Sequence, residues 1–404
     1  MTRLSDQPWL TAPQTRAVIA ALEAAGGPGC ARFVGGCVRN ALIDQPVDDI
    51  DIATTLPPEA VMAAVRAAGL KAVPTGLDHG TVTAVSGGQP HEVTTLRRDV
   101  STDGRNATVA FTRDWAEDAA RRDFRLNALY AAPDGEVFDP TGQGIEDALE
   151  GRIVFVGDPE TRIREDYLRI LRFFRFHAWY GRGPVDEAGL KACATLKDGM
   201  SRLSAERVSK ELLKLLAAPD PGPAVRLMAE SGVLKRVLPD HAGLTLFESM
   251  VAISPDALLR LSALLPADAD RVRASARALR LSNAEKDRLV MALPAAPAVS
   301  LTMEERAGRA ALYRLGRRRF EDQVMRAWAA APERRADARR LLDQAAAWPI
   351  PRLPVNGHDA ARAGASGPAA GDTLRAFEAW WVDQDFPDGD HAAMLGRFVP
   401  RSDP

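Results

Sequence analysis

The chain has 404 residues, 46% of them apolar and 26% charged, a mixture that predicts a folded protein of two or three domains and excludes a disordered one. Lys plus Arg number 52 against 54 Asp plus Glu, a formal net charge of -2, so charge excludes a generally polyanion-seeking surface and confines any polyanion site to a local patch. Cys30, Cys37 and Cys193 form no CxxC pair and leave an odd count, which argues against a disulfide framework or a cysteine-built zinc site and predicts a reducing, cytoplasmic setting. The first residues lack an apolar signal core, and no run of roughly 18 apolar residues occurs, so a soluble protein with no membrane partner is expected.

Up to about residue 155, short β-rich runs are separated by glycine, proline and aspartate: Arg32-Phe33-Val34, Ile50-Asp51-Ile52, residues 81–85 and residues 92–96. Helical stretches lie between them, which predicts an α+β or α/β head. The first chemical feature is Phe33-Val34-Gly35-Gly36-Cys37-Val38-Arg39-Asn40, an apolar strand entering paired glycines and then a helix-compatible stretch. Glycines let backbone approach a phosphate, a helix start offers free N–H groups, and Arg39 adds a charged fork. An ordinary strand-to-helix turn is the alternative.

Next comes Asp48-Asp49-Ile50-Asp51-Ile52. On a strand Asp49 and Asp51 share one face while Ile50 and Ile52 pack on the other. Two unpaired carboxylates repel and raise one another's pKa, a conflict relieved by a divalent cation, and hard oxygen ligands suit Mg²⁺. A solvated strand end bearing acids is the alternative, although aspartates oppose strand propensity. Glu92, on the later run Glu92-Val93-Thr94-Thr95-Leu96, is a candidate third ligand or an edge charge. Farther on, Arg121-Arg122-Asp123-Phe124-Arg125-Leu126-Asn127 brings Arg122 and Asn127 as candidate triphosphate or ribose contacts, against a helix with a solvated basic face, and Asp139 opens a tight turn.

Beyond residue 155, Ala, Leu and Arg dominate at helical spacing, as in residues 208–216 and 257–265, and strand signals nearly vanish. Residues 219–223 and 293–297 punctuate this part with proline and glycine, and 351–371 reads as a loose segment. From Gly157 to Phe176, Ile163, Tyr167, Ile170, Leu171 and Phe174 form one apolar stripe at helical spacing, with Arg162, Glu165, Asp166, Arg169 and Arg172 opposite it. That spacing predicts one helix on which Glu165 and Arg169, and Asp166 and Arg169, are neighbours. Surface ion pairing alone leaves excess positive charge there.

In this order, Gly35-Gly36-Cys37-Val38-Arg39, Asp49-Ile50-Asp51, Arg121-Arg122-Asp123-Phe124, Asn127-Ala128-Leu129, Glu165-Asp166-Tyr167-Leu168-Arg169 and Ser204-Ala205-Glu206-Arg207 resemble the motifs of the class II tRNA nucleotidyltransferases, the CCA-adding enzymes and their relatives the bacterial poly(A) polymerases. The likeness covers about residues 30 to 215; residues 357–381 look like the family's C-terminal tail. Asn40 departs from the family's usual aspartate. The resemblance implies an α+β fold: a polymerase-β-like nucleotidyltransferase head with a mixed β-sheet over residues 1–155, a helical neck for nucleobase selection and RNA binding over 156–225, and an all-α, tRNA-binding body and tail over 226–404. It further implies Asp49 and Asp51 as catalytic Mg²⁺ ligands, Gly36 and Arg39 at the triphosphate, and Arg122 as a nucleotide contact. Asp166, Arg169, Arg172 and Arg175 would meet base and phosphate in the neck. The partners implied are the tRNA acceptor arm, CTP and ATP. Cations roughly 3.5 to 4 Å apart would activate the primer hydroxyl and stabilise leaving pyrophosphate.

Base choice follows from donors and acceptors. Cytosine and adenine each present an amino donor beside a ring-nitrogen acceptor, which a carboxylate at Asp166 and a guanidinium at Arg169 complement, whereas uracil and guanine oppose both. Mispairing costs roughly 1 to 3 kcal/mol per buried polar group. Arg306, Arg309, Arg314, Arg317, Arg318 and Arg319, then Arg334, Arg335, Arg339 and Arg340, are basic clusters that follow tRNA phosphates or are solvated faces. The alternatives to full CCA addition are poly(A) or partial addition and a catalytically silent RNA-binding relative. Intact Asp49 and Asp51 speak against the silent relative, and a C-terminus without a long basic extension speaks against poly(A) addition.

Overall fold

The computed structural model describes residues 2–4, 7–103, 106–294 and 298–400, so residues 295–297 of the proline cluster at 293–297 lie outside it. The chain divides into two compact units, Met1–Pro239 and Asp240–Pro404.

The first unit is built on a seven-stranded sheet with strands in the order β3-β4-β5-β2-β1-β8-β9. Its strands are β1 (Ala31–Val34), β2 (Asp51–Thr54), β3 (Lys71–Gly76), β4 (Thr81–Ser86), β5 (Gln89–Thr95), β8 (Tyr130–Ala131) and β9 (Val137–Phe138); β6 (Arg97–Asp103) and β7 (Asn106–Phe111) form a separate hairpin. The sheet is mixed, as expected: β2 and β5 run parallel and its other pairings are antiparallel. In β4 the alternation Thr-Val-Thr-Ala-Val-Ser buries every second residue, the period-2 signature of a half-covered strand. One sheet face packs on the helices Pro13–Gly26 and Pro58–Ala67, burying Val18, Leu22, Phe33, Ile52, Val61, Val65 and Val93. Each contributes about 1.5–3 kcal/mol. The other face carries the cluster of Val34, Ala53, Leu96, Ala119, Ala128, Tyr130 and Val156 at its β1 side.

The four anticipated strands form. β3, β8, β9 and the β6–β7 hairpin were not anticipated, because the short strands carry too few residues for a period and the hairpin opens on Arg97-Arg98-Asp99 rather than on apolar alternation. The single helix expected around residue 166 is also corrected. The helix Pro159–Glu165 ends at Asp166, whose φ of -152 and ψ of 107 are extended, and a second helix, Leu168–Tyr180, follows. The cause is local: Asp166 Oδ1 accepts from the Leu168 N–H at 3.1 Å, so the aspartate caps the new helix instead of continuing the old one. Ile163, Ile170, Leu171 and Phe174 are buried as the spacing predicts.

The second unit is helical throughout its described residues. Leu312, Phe320, Val324, Ala338 and Leu341 form one core, and Val355, Phe377, Trp381, Val382 and Leu395 another. The segment expected to be loose contains the helix Gly357–Arg362, started by a reciprocal cap in which Asn356 and Asp359 satisfy each other's backbone.

Candidate active site

The glycine pair closes β1. Gly35 has φ 71 and ψ -118, outside the reach of ordinary L residues, and its N–H is held by the Leu129 carbonyl at 3.0 Å. This turn starts the helix Gly36–Leu42. A Cβ on Gly35 would lie 3.6 Å from Arg122 Nη1, so the turn and that guanidinium are immediate neighbours. Arg39, one turn along, is buried; its guanidinium donates to Asn40 Oδ1 at 2.8 Å, to Tyr180 Oη at 2.8 Å and to Asn127 Oδ1, and stacks on the Tyr180 ring at 4.0 Å. Asn40, the departure from the family pattern, thus keeps an oxygen on Arg39 without a charge. Burial lowers the Arg39 pKa.

Asp51 is the first residue of β2, and the parallel register sets Glu92 of β5 directly beside it. Asp49 precedes the strand and is exposed, so the expected placement of both aspartates within one strand is corrected, while Ile50 and Ile52 are buried as expected. Burial first, then the charges of Glu92 and Asp49, push the Asp51 carboxyl up to about 6, against the opposing pull of Arg122. Arg122 is anchored by Asp118 Oδ2 at 2.9 Å and by Tyr130 Oη at 3.3 Å. Asp118 is buried and also accepts from Arg121, the Tyr130 hydroxyl at 2.6 Å and the Arg97 N–H at 3.2 Å. Burial acts to raise its pKa, but Arg122 and Arg121 outweigh that and hold it at about 2.

The helices Pro159–Glu165 and Leu168–Tyr180 bring a second set of ions to the same unit. Asp166 Oδ2 pairs with Arg207 Nη2 at 2.6 Å, not with Arg169 as helical spacing had suggested. Arg169 pairs with Glu165 as expected and donates to the Arg162 carbonyl at 2.8 Å and the Arg121 carbonyl at 3.2 Å. Arg172 Nε donates to Asp123 Oδ2 at 2.7 Å, and Arg175 Nε to Glu211 Oε2 at 2.6 Å. Asp123 is buried, and although burial opposes it, the Arg172 charge holds its carboxyl at about 2. The positive charge left unbalanced on the helix itself is therefore met by Asp123 and Glu211 from elsewhere in the fold. Glu211 and Tyr180 escaped sequence reasoning because they lie 36 and 141 residues from Arg175 and Arg39, at distances no periodicity reports. Asp118 and Tyr130 were also missed, although they lie only 4 and 8 residues from Arg122 and Asp118 stands at helical spacing from it. Arg207 was legible only as part of Ser204-Ala205-Glu206-Arg207.

The residues at β2 fit a hard divalent cation. Asp49, Asp51 and Glu92 offer carboxylate oxygens alone, and Asp51, half-buried beside two like charges that Arg122 only partly offsets, gains from such an ion. Among the described residues no group of three or more His, Cys, Asp or Glu is placed to hold a metal ion, so Asp49, Asp51 and Glu92 do not form a three-carboxylate cage. All three cysteines are free and buried, so none bridges another. In the second unit, Arg309 is tied to Asp385 at 2.6 Å, Arg334 to Asp337 at 2.7 Å and Arg340 to the Met303 carbonyl at 2.7 Å, while Arg318 is 71% exposed. The first three are internal fastenings. No helix of the described residues is long and apolar enough to cross a membrane.

The chain is similar to known proteins over most of its length. The poly(A) polymerase head domain matches residues 31–154, and the probable RNA- and SrmB-binding site of polymerase A matches residues 184–244. The mitochondrial CCA tRNA nucleotidyltransferase 1 of Danio rerio is 34% identical over 379 residues, covering 87% of this chain and 83% of its own length; that of Homo sapiens is 33% identical with 87% and 82% covered. The crystal structure of the Bacillus stearothermophilus CCA-adding enzyme in complex with CTP superposes with a TM-score of 0.78 at 28% identity, covering 96% of this chain and 98% of that one. A Thermotoga maritima CCA-adding enzyme complexed with tRNA shares the fold at a TM-score of 0.71 and 19% identity, over 98% of each chain.

Proposed function

Because this chain belongs to the family of CCA-adding tRNA nucleotidyltransferases, we propose that the site on β1, β2 and β5 is where it joins CMP and AMP, from CTP and ATP, to the 3′ end of tRNA without a nucleic-acid template. In each addition the 3′-oxygen forms a bond to the α-phosphorus and the bond to pyrophosphate breaks. The observation that carries the reading is the set of carboxylates around Asp51, facing a guanidinium that is fixed at a glycine turn.

Asp49 and Asp51, with Glu92 beside them, would hold Mg²⁺, which supplies activation of the attacking hydroxyl and neutralisation of the leaving group. Gly36 and the Gly35 turn let the triphosphate approach the backbone, and Arg122 supplies a fixed positive charge there. Arg39 locks the helix Gly36–Leu42 against Asn127 and Tyr180, and reaches the nucleotide from that anchored position. Asp166 and Arg169 offer the acceptor and donors that cytosine and adenine share. Asp166 is held ready by Arg207, and Arg172 and Arg175 complete the positive lining of the neck. In this reading residues 1–155 are the head, 156–225 the neck and 226–404 the body and tail that grip tRNA, and the odd count of unbridged cysteines favours a reducing compartment such as the cytoplasm.

The test is to incubate a tRNA ending before CCA with Mg²⁺ and each nucleotide alone, then with CTP and ATP together. CTP alone should extend it by CMP, and the pair should complete CCA. Extension by ATP alone into a long tail would instead indicate poly(A) addition.

A further inference from the structure

The unit Met1–Pro239 contains an open concavity of about 840 Å³ lined by Arg32, Arg113, Asp114, Trp115, Phe138 and Asp139, among others. It does not include Asp51. Yet it opens on the same sheet face: Arg32 of β1 sits opposite Ala53, two residues along β2 from Asp51, which is about 7 Å at the strand rise. Tyr130 touches both neighbourhoods: its hydroxyl meets Arg122 and its ring meets Trp115 edge-on at 5.2 Å.

The Arg32 guanidinium lies 4.3 Å from the Trp115 ring centre and 3.9 Å from that of Phe138. Stacking on rings covers the faces of the fork and leaves its N–H edge free. Among the described residues no acceptor is hydrogen-bonded to that edge. The nearby acids do not fill the role. Asp114 accepts from the Ala116 N–H at 2.8 Å, Asp139 accepts from the N–H groups of Thr141, Gly142 and Ile145 at 3.0 to 3.2 Å, and Glu136 acts on Arg32 only through space. A half-buried cation with stacked faces and an N–H edge bonded to no protein acceptor, in the same concavity as the exposed Arg113, has the donors to take an anion in bidentate fashion.

We propose that this concavity is a second phosphoryl-binding site, in which the Arg32 fork and Arg113 hold either an internucleotide phosphate of the bound tRNA or released pyrophosphate. The inference rests on the functional reading above, since that reaction brings both kinds of phosphate to this sheet face.

The test uses the full chain and the variants Arg32→Gln, Arg32→Lys and Arg113→Ala. Binding of a tRNA ending before CCA is measured over a salt series, and inorganic pyrophosphate is titrated calorimetrically. If the phosphate belongs to tRNA, Arg32→Gln weakens tRNA binding roughly three- to tenfold and lowers the salt slope by about one, Arg113→Ala moves both in the same direction, and Arg32→Lys recovers part of the loss. If it belongs to pyrophosphate, tRNA binding holds and one of two pyrophosphate sites disappears. Unchanged binding of both ligands in Arg113→Ala and in the folded Arg32 variants overturns the proposal, even if Arg32→Gln melts earlier. Incorporation of CMP by the unaltered chain, measured alongside, reports on the functional reading separately, so the two fail independently.

Discussion

The chemistry turns on a few ionised side chains whose surroundings assign them different tasks. Asp51 is held up by burial and then by the neighbouring acids Glu92 and Asp49, and Asp118 and Asp123 are held down by arginines that outweigh their burial. The first pattern belongs to a group awaiting a cation, the second to internal anchors. Asp51→Ala or Asp49→Ala should abolish incorporation of every nucleotide while circular dichroism and tRNA binding stay near normal. The loss removes several kcal/mol of charge stabilisation, at least about a thousandfold in rate. Near-normal CMP incorporation by Asp51→Ala would refute the assignment. Asp118→Ala should act oppositely, because it strands Arg121 and Arg122 without their buried partner and costs about 3–5 kcal/mol, read as a lower denaturation midpoint with an unchanged slope. The pH dependence has a definite sign. The folded pKa of Asp118 and Asp123 lies near 2, below the ordinary 3.8, so their contribution is complete above about pH 4 and lost as pH falls toward 2. It is on the order of 2 kcal/mol each, and Asp118→Asn should flatten the acid-side fall in stability between those limits.

At the scale of elements, the break between Pro159–Glu165 and Leu168–Tyr180 governs where Asp166 and Arg169 stand. Tyr167 starts the second helix with its ring against Gly199, where a Cβ would fall 1.8 Å from Tyr167 Cε1. Gly199→Ala must therefore displace Tyr167 and the aspartate before it. The expected cost is about 1–3 kcal/mol in stability, with a larger fall in kcat/KM than that loss of folded enzyme explains. Wild-type kinetics in this variant would show that the tyrosine does not set the neck. The same break marks how far the sequence could be read. The apolar runs of β1, β2, β4 and β5 were legible because buried strands write their period locally, and the Gly-Gly turn and the burial of Ile50 and Ile52 because paired glycines and alternating isoleucines each leave a local signal. The helix was misread because periodicity sees Ile163 and Ile170 but not that Asp166 spends its oxygen on the Leu168 N–H. The Asp166–Arg207 and Arg172–Asp123 pairs span 41 and 49 residues, and only the folded chain brings them together.

At the scale of the whole molecule, the residues proposed as head and neck lie within one compact unit, Met1–Pro239, and Asp240–Pro404 forms another. A fragment ending at Pro239 should accordingly fold and bind CTP while losing most affinity for tRNA, with the salt slope of tRNA binding reduced; full tRNA affinity in that fragment would contradict the role given to the body and tail. The central claim is that protein side chains, with no template strand, choose the base. Its most direct test is kcat/KM for CTP, ATP, UTP and GTP on one tRNA, compared between the wild type and Asp166→Ala at matched folded concentration. If Asp166 reads the amino group, CTP and ATP use falls and the preference for CTP over UTP narrows roughly ten- to hundredfold, the value of one buried acceptor. An unchanged CTP-to-UTP ratio in a folded Asp166→Ala would contradict the account and leave the residue only its ion pair with Arg207.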